Sequence, residues 1–152
     1  MNARKGGILA AIAVSAVIGG TAVVTPAAMA ATTSQSITFQ ATNEGSYDQF
    51  VVTFPEATAP ALNASDSDSG PVWAGSGKPV SMPGNHFIYL TGSGPSDPLA
   101  GPNPATYSLP NLESAVLYDN FEGSIGIAIG LAHAASYTVS TNGNQITVDV
   151  SH

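Results

Sequence analysis

Apolar and polar residues alternate along most of this chain, and nowhere do they recur at the spacing of a helix that packs on a core. Ile37-Thr38-Phe39-Gln40 alternates from its first residue. Tyr47–Phe54 sets Phe50, Val52 and Phe54 on one face, with Val51 and Thr53 on the other. Pro79–Met82 and His86–Thr91 read as short strands around the turn Pro83-Gly84-Asn85. Ala115–Phe121 alternates again, and Glu122-Gly123 marks a tight reversal. The clearest strand follows: Ile125, Ile127, Ile129 and Leu131 on one face, Gly126, Ala128 and Gly130 on the other. Residues that small let a second layer or a ligand come close to that face. Tyr137–Thr141 and Asn144–Val150 then predict a hairpin, with Asn142-Gly143 supplying the positive φ angles of a type I′ turn.

Two stretches lack this pattern. Pro55–Pro71 is rich in Ala, Pro, Ser and Asp, with only Leu62 to bury, and reads as a long loop or a weak edge strand. Gly92–Pro104 crowds glycine and proline together and predicts an exposed loop with no strand in it. No internal repeat is visible. The pattern predicts an all-β fold, an antiparallel sandwich or flattened barrel of about 8–10 strands.

Residues 1–30 stand apart. Arg4 and Lys5 precede an apolar run centred on Ile8–Ile18, and Ala28-Met29-Ala30 supplies the small-x-small pattern read by signal peptidase. A retained membrane anchor is the competing reading, but Gly19-Gly20 interrupts the run and Pro26 precedes the cleavage pattern. The expectation is cleavage between Ala30 and Ala31. A secreted protein would follow, extracellular or associated with the cell wall, with no membrane attachment after cleavage. Residues 31–45 are then a lead-in with the first strand, and 46–152 the main domain. The chain has no cysteine, so it has neither disulfides nor a lipobox thiol, and packing alone must hold it together.

Charge narrows the partners. All ten acidic residues lie after residue 30, and Lys78 is the only Lys or Arg there. Nucleic acid is excluded as a partner, because its phosphates need a basic footprint. Anionic lipid is excluded for the same reason.

Several segments resemble the AMIN-like domain, a relative of the AMIN domains of cell-wall amidases and secretins. They are Tyr47-Asp48-Gln49-Phe50-Val51, Gly75-Ser76-Gly77-Lys78-Pro79-Val80, Pro83-Gly84, Asp119-Asn120-Phe121-Glu122-Gly123, Ile129-Gly130-Leu131 and Ile146-Thr147-Val148-Asp149-Val150. The resemblance implies a non-enzymatic β-sandwich that binds peptidoglycan, another wall polymer or an envelope protein. It implies no cofactor. Ile127 stands where a tryptophan is common in the family, and Thr138 and Gln145 where arginines are common.

Catalytic readings find little support in the residues. There is no thiol nucleophile and no Gly-x-Ser-x-Gly elbow. His86, His133 and His152 share no metal-ligand spacing, and His152 is expected to be disordered. Asp66-Ser67-Asp68-Ser69-Gly70 resembles the start of a calcium loop, but Gly77 occupies the place of its bidentate glutamate. Asp119 and Glu122, flanking Phe121 near a strand end, are the one carboxylate pair that would suit glycoside hydrolysis. The favoured reading is that Glu122-Gly123 turns the chain and Asp119 caps a loop. Asp149 is placed opposite the inward set and is expected to tie down a nearby loop. Aromatic rings with polar edges stack on sugars and anchor protein contacts, which points to Tyr47, Trp73, Tyr89 and Tyr107; Tyr89 and Tyr107 also read as cover for the core edge, and Trp73 is expected to be the most exposed. Candidate binding residues are therefore Tyr47, Trp73, Asp119, Phe121 and Glu122. The ligand within these classes and the oligomeric state are left open by the sequence.

Overall fold

The computed structural model describes residues 35–152; the cleavage site at Ala30 and Ala31 lies outside them. Eleven strands, and no helix among the described residues, form three sheets. Four strands, β2 (Thr38–Asn43), β3 (Tyr47–Thr53), β10 (Tyr137–Asn142) and β11 (Gln145–Ser151), form one antiparallel sheet in the order β10-β11-β3-β2. A second antiparallel sheet runs β4-β5-β9-β8-β7, from β4 (Leu62–Ser67), β5 (His86–Ser93), β7 (Ala105–Thr106), β8 (Leu112–Asp119) and β9 (Ser124–Leu131). The short strands β1 (Gln35–Ser36) and β6 (Leu99–Ala100) pair in parallel. Neither large sheet closes on itself, so the sandwich is the form adopted rather than the barrel.

The alternation read from the sequence builds the core. Phe50, Val52 and Phe54 meet Ile146, Val148 and Val150 on one inner face. Ile88, Leu90, Ile125, Ile127, Ile129 and Leu131 line the other, and all are buried. Each such side chain contributes about 1.5–3 kcal/mol on burial. The small residues of β9 do admit a second layer. A Cβ at Gly126 would strike the Tyr118 ring, and one at Gly130 would strike the Pro83 carbonyl and the Ser114 hydroxyl. The covering layer is the segment 71–83. Its Val80 is buried on Val116 and Ala128, with Trp73, Met82, Tyr89 and Tyr118 packed around them.

Three local expectations give way, and a fourth is decided between its two alternatives. Pro79–Met82 is not a strand: prolines at 79 and 83 cannot donate to a ladder, and only one bridge forms, between Val72 and Pro79. Pro55–Pro71 takes the edge-strand alternative as β4. Gly92–Pro104 does contain a strand, β6, because buried Leu99 is gripped through both backbone groups by the Asn120 side chain. The hairpin loop is Gly143-Asn144, one residue later than expected. Asn142 pairs with Gln145, and only Gly143 has a positive φ (58°), the sign pattern of type II′ rather than I′.

Candidate functional site

The two outer faces of the sandwich differ. Segment 71–83 covers that of the five-stranded sheet, whereas alternation sends small polar side chains outward from the four-stranded sheet. The registers align them in rows. Thr138, Asp149, Gln49 and Thr42 make one; Ser140, Thr147, Val51 and Gln40 the next; Asn142, Gln145, Thr53 and Thr38 the third. None of these twelve positions is fully buried. Nearly all carry a hydroxyl or carboxamide, and Asp149 is the one charge among them. Two bonds hold side chains in place across strands: Gln49 Nε2 donates to Asp149 Oδ1 at 2.9 Å, and Gln145 Nε2 to Thr53 Oγ1 at 3.1 Å. Asp149 thus ties two strands together rather than a loop.

Tyr47 stands at the end of this face. With Ser136, Tyr137, Thr138, Asp149 and Ser151 it lines an open depression of about 190 Å³. A phenol edge, several hydroxyls and a carboxylate with one oxygen engaged by Gln49 offer donors and acceptors to a polyhydroxylated ligand. No cation lines the depression, so an anion finds nothing to pair with there.

The other candidates lie elsewhere. Asp119, Phe121 and Glu122 sit together at the β8–β9 turn. Asp119 Oδ2 accepts from the Ser124 hydroxyl at 2.7 Å, and its Oδ1 is buried without a partner. Glu122 holds the left-handed conformation (φ 51°) that lets the turn close, and Phe121 is 62% exposed. Trp73 is half-buried in the covering layer, so Phe121 and the neighbouring Val72, rather than Trp73, are the exposed apolar groups on this side.

Two clusters were not anticipated from sequence. Asp48 lies on the inward face of β3 with no exposed surface. Its Oδ2 accepts from the backbone N–H of Asn111 (2.7 Å) and Leu112 (2.9 Å), joining the two sheets. Its Oδ1 lies 3.1 Å from Asn43 Nδ2 and 3.0 Å from His152 Nε2. Burial alone pushes this carboxyl up, but the four hydrogen bonds, those from Asn111 and Leu112 foremost, outweigh it and hold the pKa below 3.8. His152, expected to be disordered, is a partner in this cluster. Asn111 extends it: its Oδ1 accepts from the His133 N–H at 3.0 Å, and its Nδ2 donates to the Ser151 carbonyl at 3.3 Å.

The second cluster is His86, buried at the start of β5. Its Nδ1 lies 2.7 Å from Asp68 Oδ1 and its Nε2 3.0 Å from Asp66 Oδ2. Two carboxylates facing both ring nitrogens suit the imidazolium. The bond to Asp68 raises the His86 pKa above 6.5, burial opposes it, and Asp66 adds to the rise. The carboxylates that would have opened a calcium loop are therefore turned onto a histidine. Tyr137 reaches Asp66 from the opposite sheet, its hydroxyl 3.3 Å from Oδ1.

No curated protein and no solved structure matches the chain. The family model of the AMIN-like domain matches residues 34–152, which span every described strand, and the chain belongs to the AMIN-like domain family.

Proposed function

We propose that this protein is a non-catalytic binding module of the cell envelope. It would take an uncharged stretch of wall polymer, peptidoglycan glycan foremost, on the outer face of its four-stranded sheet. The observation that carries the reading is that face itself: uncovered among the described residues, lined by hydroxyls and carboxamides in register, bearing Asp149 as its one charge, and ending in the depression beside Tyr47. Glycan hydroxyls exchange hydrogen bonds with such side chains, and a sugar ring stacks on a phenol. Thr138 and Gln145, where the family resemblance leads one to expect arginine, lie on this face and leave it without a cation. That favours a neutral sugar strand over a polyanionic one. Family membership supports the envelope setting, and the leader pattern of residues 1–30 supports export.

Co-sedimentation with intact walls and then with purified peptidoglycan, across a salt series, tests this. Binding is expected to be saturable. It should strengthen from low to physiological salt, as repulsion between an acidic protein and anionic wall polymers is screened. Tyr47→Ala should weaken it by about tenfold, in keeping with loss of an aromatic anchor, while Phe121→Ala leaves it unchanged. Absence of binding at every salt would remove the reading. Binding that depends on Phe121 and not on Tyr47 would move the contact to the β8–β9 turn and favour a protein partner.

A further inference from the structure

The two large sheets end in four edge strands, and such edges offer unpaired N–H and C=O groups to any passing strand. Three are blunted. β4 runs into Asp66 and Asp68, and β7 has two residues. β2 is bounded by Glu44 at one end and at the other by Ile37, whose N–H is bonded to the Ala100 carbonyl. Among the described residues β10 has no such device. Tyr137–Asn142 contains no charge, proline or glycine, and its register with β11 is unbroken. Val139 is 37% exposed, the one large hydrophobic exposed within a strand among the described residues.

Ladder geometry says which of its backbone groups are free. The Ser151 N–H donates to the Ser136 carbonyl at 3.0 Å, so residues 136, 138, 140 and 142 form the closely spaced pairs with β11. The N–H and C=O of Tyr137, Val139 and Thr141 therefore point away from the sheet.

We infer that β10 pairs antiparallel with β10 of a second copy of this chain, about a twofold axis through Val139. In that register Val139 faces Val139, Tyr137 faces Thr141, and every outward N–H and C=O of the three residues finds a partner. The exposed valines cover one another. Two acidic chains repel at low salt, but at physiological salt the charges nearest the strand are screened. Asp66, beside Tyr137, and its copy lie about four residues apart along the strands, roughly 14 Å, and Asp149 and its copy three strand spacings apart, again roughly 14 Å. Both separations exceed a Debye length of about 8 Å at physiological salt. Two four-stranded sheets become one of eight, and their polar outer faces join. The inference does not rest on the wall-binding reading, although a doubled face would serve it through avidity.

The test is the mass of the purified protein in solution from micromolar to millimolar concentration, by sedimentation velocity and light scattering. A concentration-dependent dimer is expected. Val139→Pro removes only an outward N–H and leaves the ladder to β11 intact, so it should abolish the dimer at unchanged circular dichroism. Val139→Lys should do the same by placing charge against charge, and it decides the matter if the proline variant fails to fold. Val139→Thr should retain the dimer. A chain that stays monomeric to millimolar concentration overturns the inference, as does a dimer that the folded Val139→Pro or Val139→Lys variant leaves intact.

Discussion

Replacing Asp48 should cost more stability than replacing any other charged residue among those described, and the structure says how much. Its carboxylate has no exposed surface and accepts the backbone N–H groups of Asn111 and Leu112 from the opposite sheet. Asp48→Ala orphans both donors in a site closed to water, at roughly 1–3 kcal/mol each, and also removes the partners of Asn43 and His152. The sum is about 3–5 kcal/mol, in the range for breaking a buried charged network. That is a large part of the roughly 5–15 kcal/mol that holds a domain folded. At this chain length it corresponds to a fall of roughly 10–20 °C in Tm. Asp48→Asn separates the contributions. Its carbonyl oxygen still serves Asn111 and Leu112, while its NH₂ meets Asn43, whose Oδ1 is already engaged by the Gly45 N–H. The cost should fall to about 1–2 kcal/mol.

Urea unfolding of the three proteins from pH 2 to 7 is the assay. Because the folded pKa of Asp48 lies below its ordinary 3.8, its contribution is complete above that value and is lost as pH falls through the folded pKa. The gap between wild type and Asp48→Asn should therefore close toward the acid end. Equal losses for the Ala and Asn variants at pH 7 would refute the reasoning, since they would show that the two backbone donors are not what the carboxylate serves. A gap that stays constant down to pH 2 would refute the charge part of it.

The remaining predictions concern other parts of the sandwich. His86 runs the opposite way in pH: its folded pKa is raised, so its stabilisation is complete below 6.5 and is lost as pH rises through the folded value. His86→Gln should flatten the alkaline limb of urea midpoint against pH, and an unchanged limb would show that the imidazolium is not paired. Gly130→Ala should destabilise by about 1–3 kcal/mol, because the added methyl strikes the Pro83 carbonyl and the Ser114 hydroxyl; thermal melts check it. Ile127→Asp buries a charge in the middle of β9 and should abolish folding, so a cooperative melt from that variant would sink the strand assignment.

What the sequence revealed and what it withheld follow from one property of strands, a side-chain period of two. The period placed Phe50, Val52, Phe54 and the β9 isoleucines correctly, because each strand carries its own alternation. It also held an unread signal. Asp48 shares the parity of Phe50, Val52 and Phe54, so a charge was being sent inward, and such a charge requires partners. The partners themselves, at 111 and 112, follow from no spacing rule. His86 is similar, its acids lying 18 and 20 residues before it on the neighbouring edge. The hairpin register was undecidable locally. Loops centred on Asn142-Gly143 and on Gly143-Asn144 both keep Val139 and Val148 facing inward. The second prevails where Asn144 reaches Phe54, accepting its N–H through the backbone carbonyl at 2.9 Å and donating Nδ2 to its carbonyl at 2.8 Å.

The candidate binding face was hidden for a related reason. Each strand shows its outward Thr, Gln or Ser, but outward polar residues are what any solvated strand shows. They become a surface only once the order β10-β11-β3-β2 sets residues 138–151 beside residues 38–53. The feature that distinguishes the face is then an absence: no covering layer among the described residues, although the opposite sheet has one. Charged residues are only 9% of this chain, so the single Asp149 on the face is in keeping with the composition and it is the lack of cover that sets the face apart. A face left without cover among the described residues, lined by hydroxyls and carboxamides in register and ended by a tyrosine, suits a neutral ligand that hydrogen-bonds along its length.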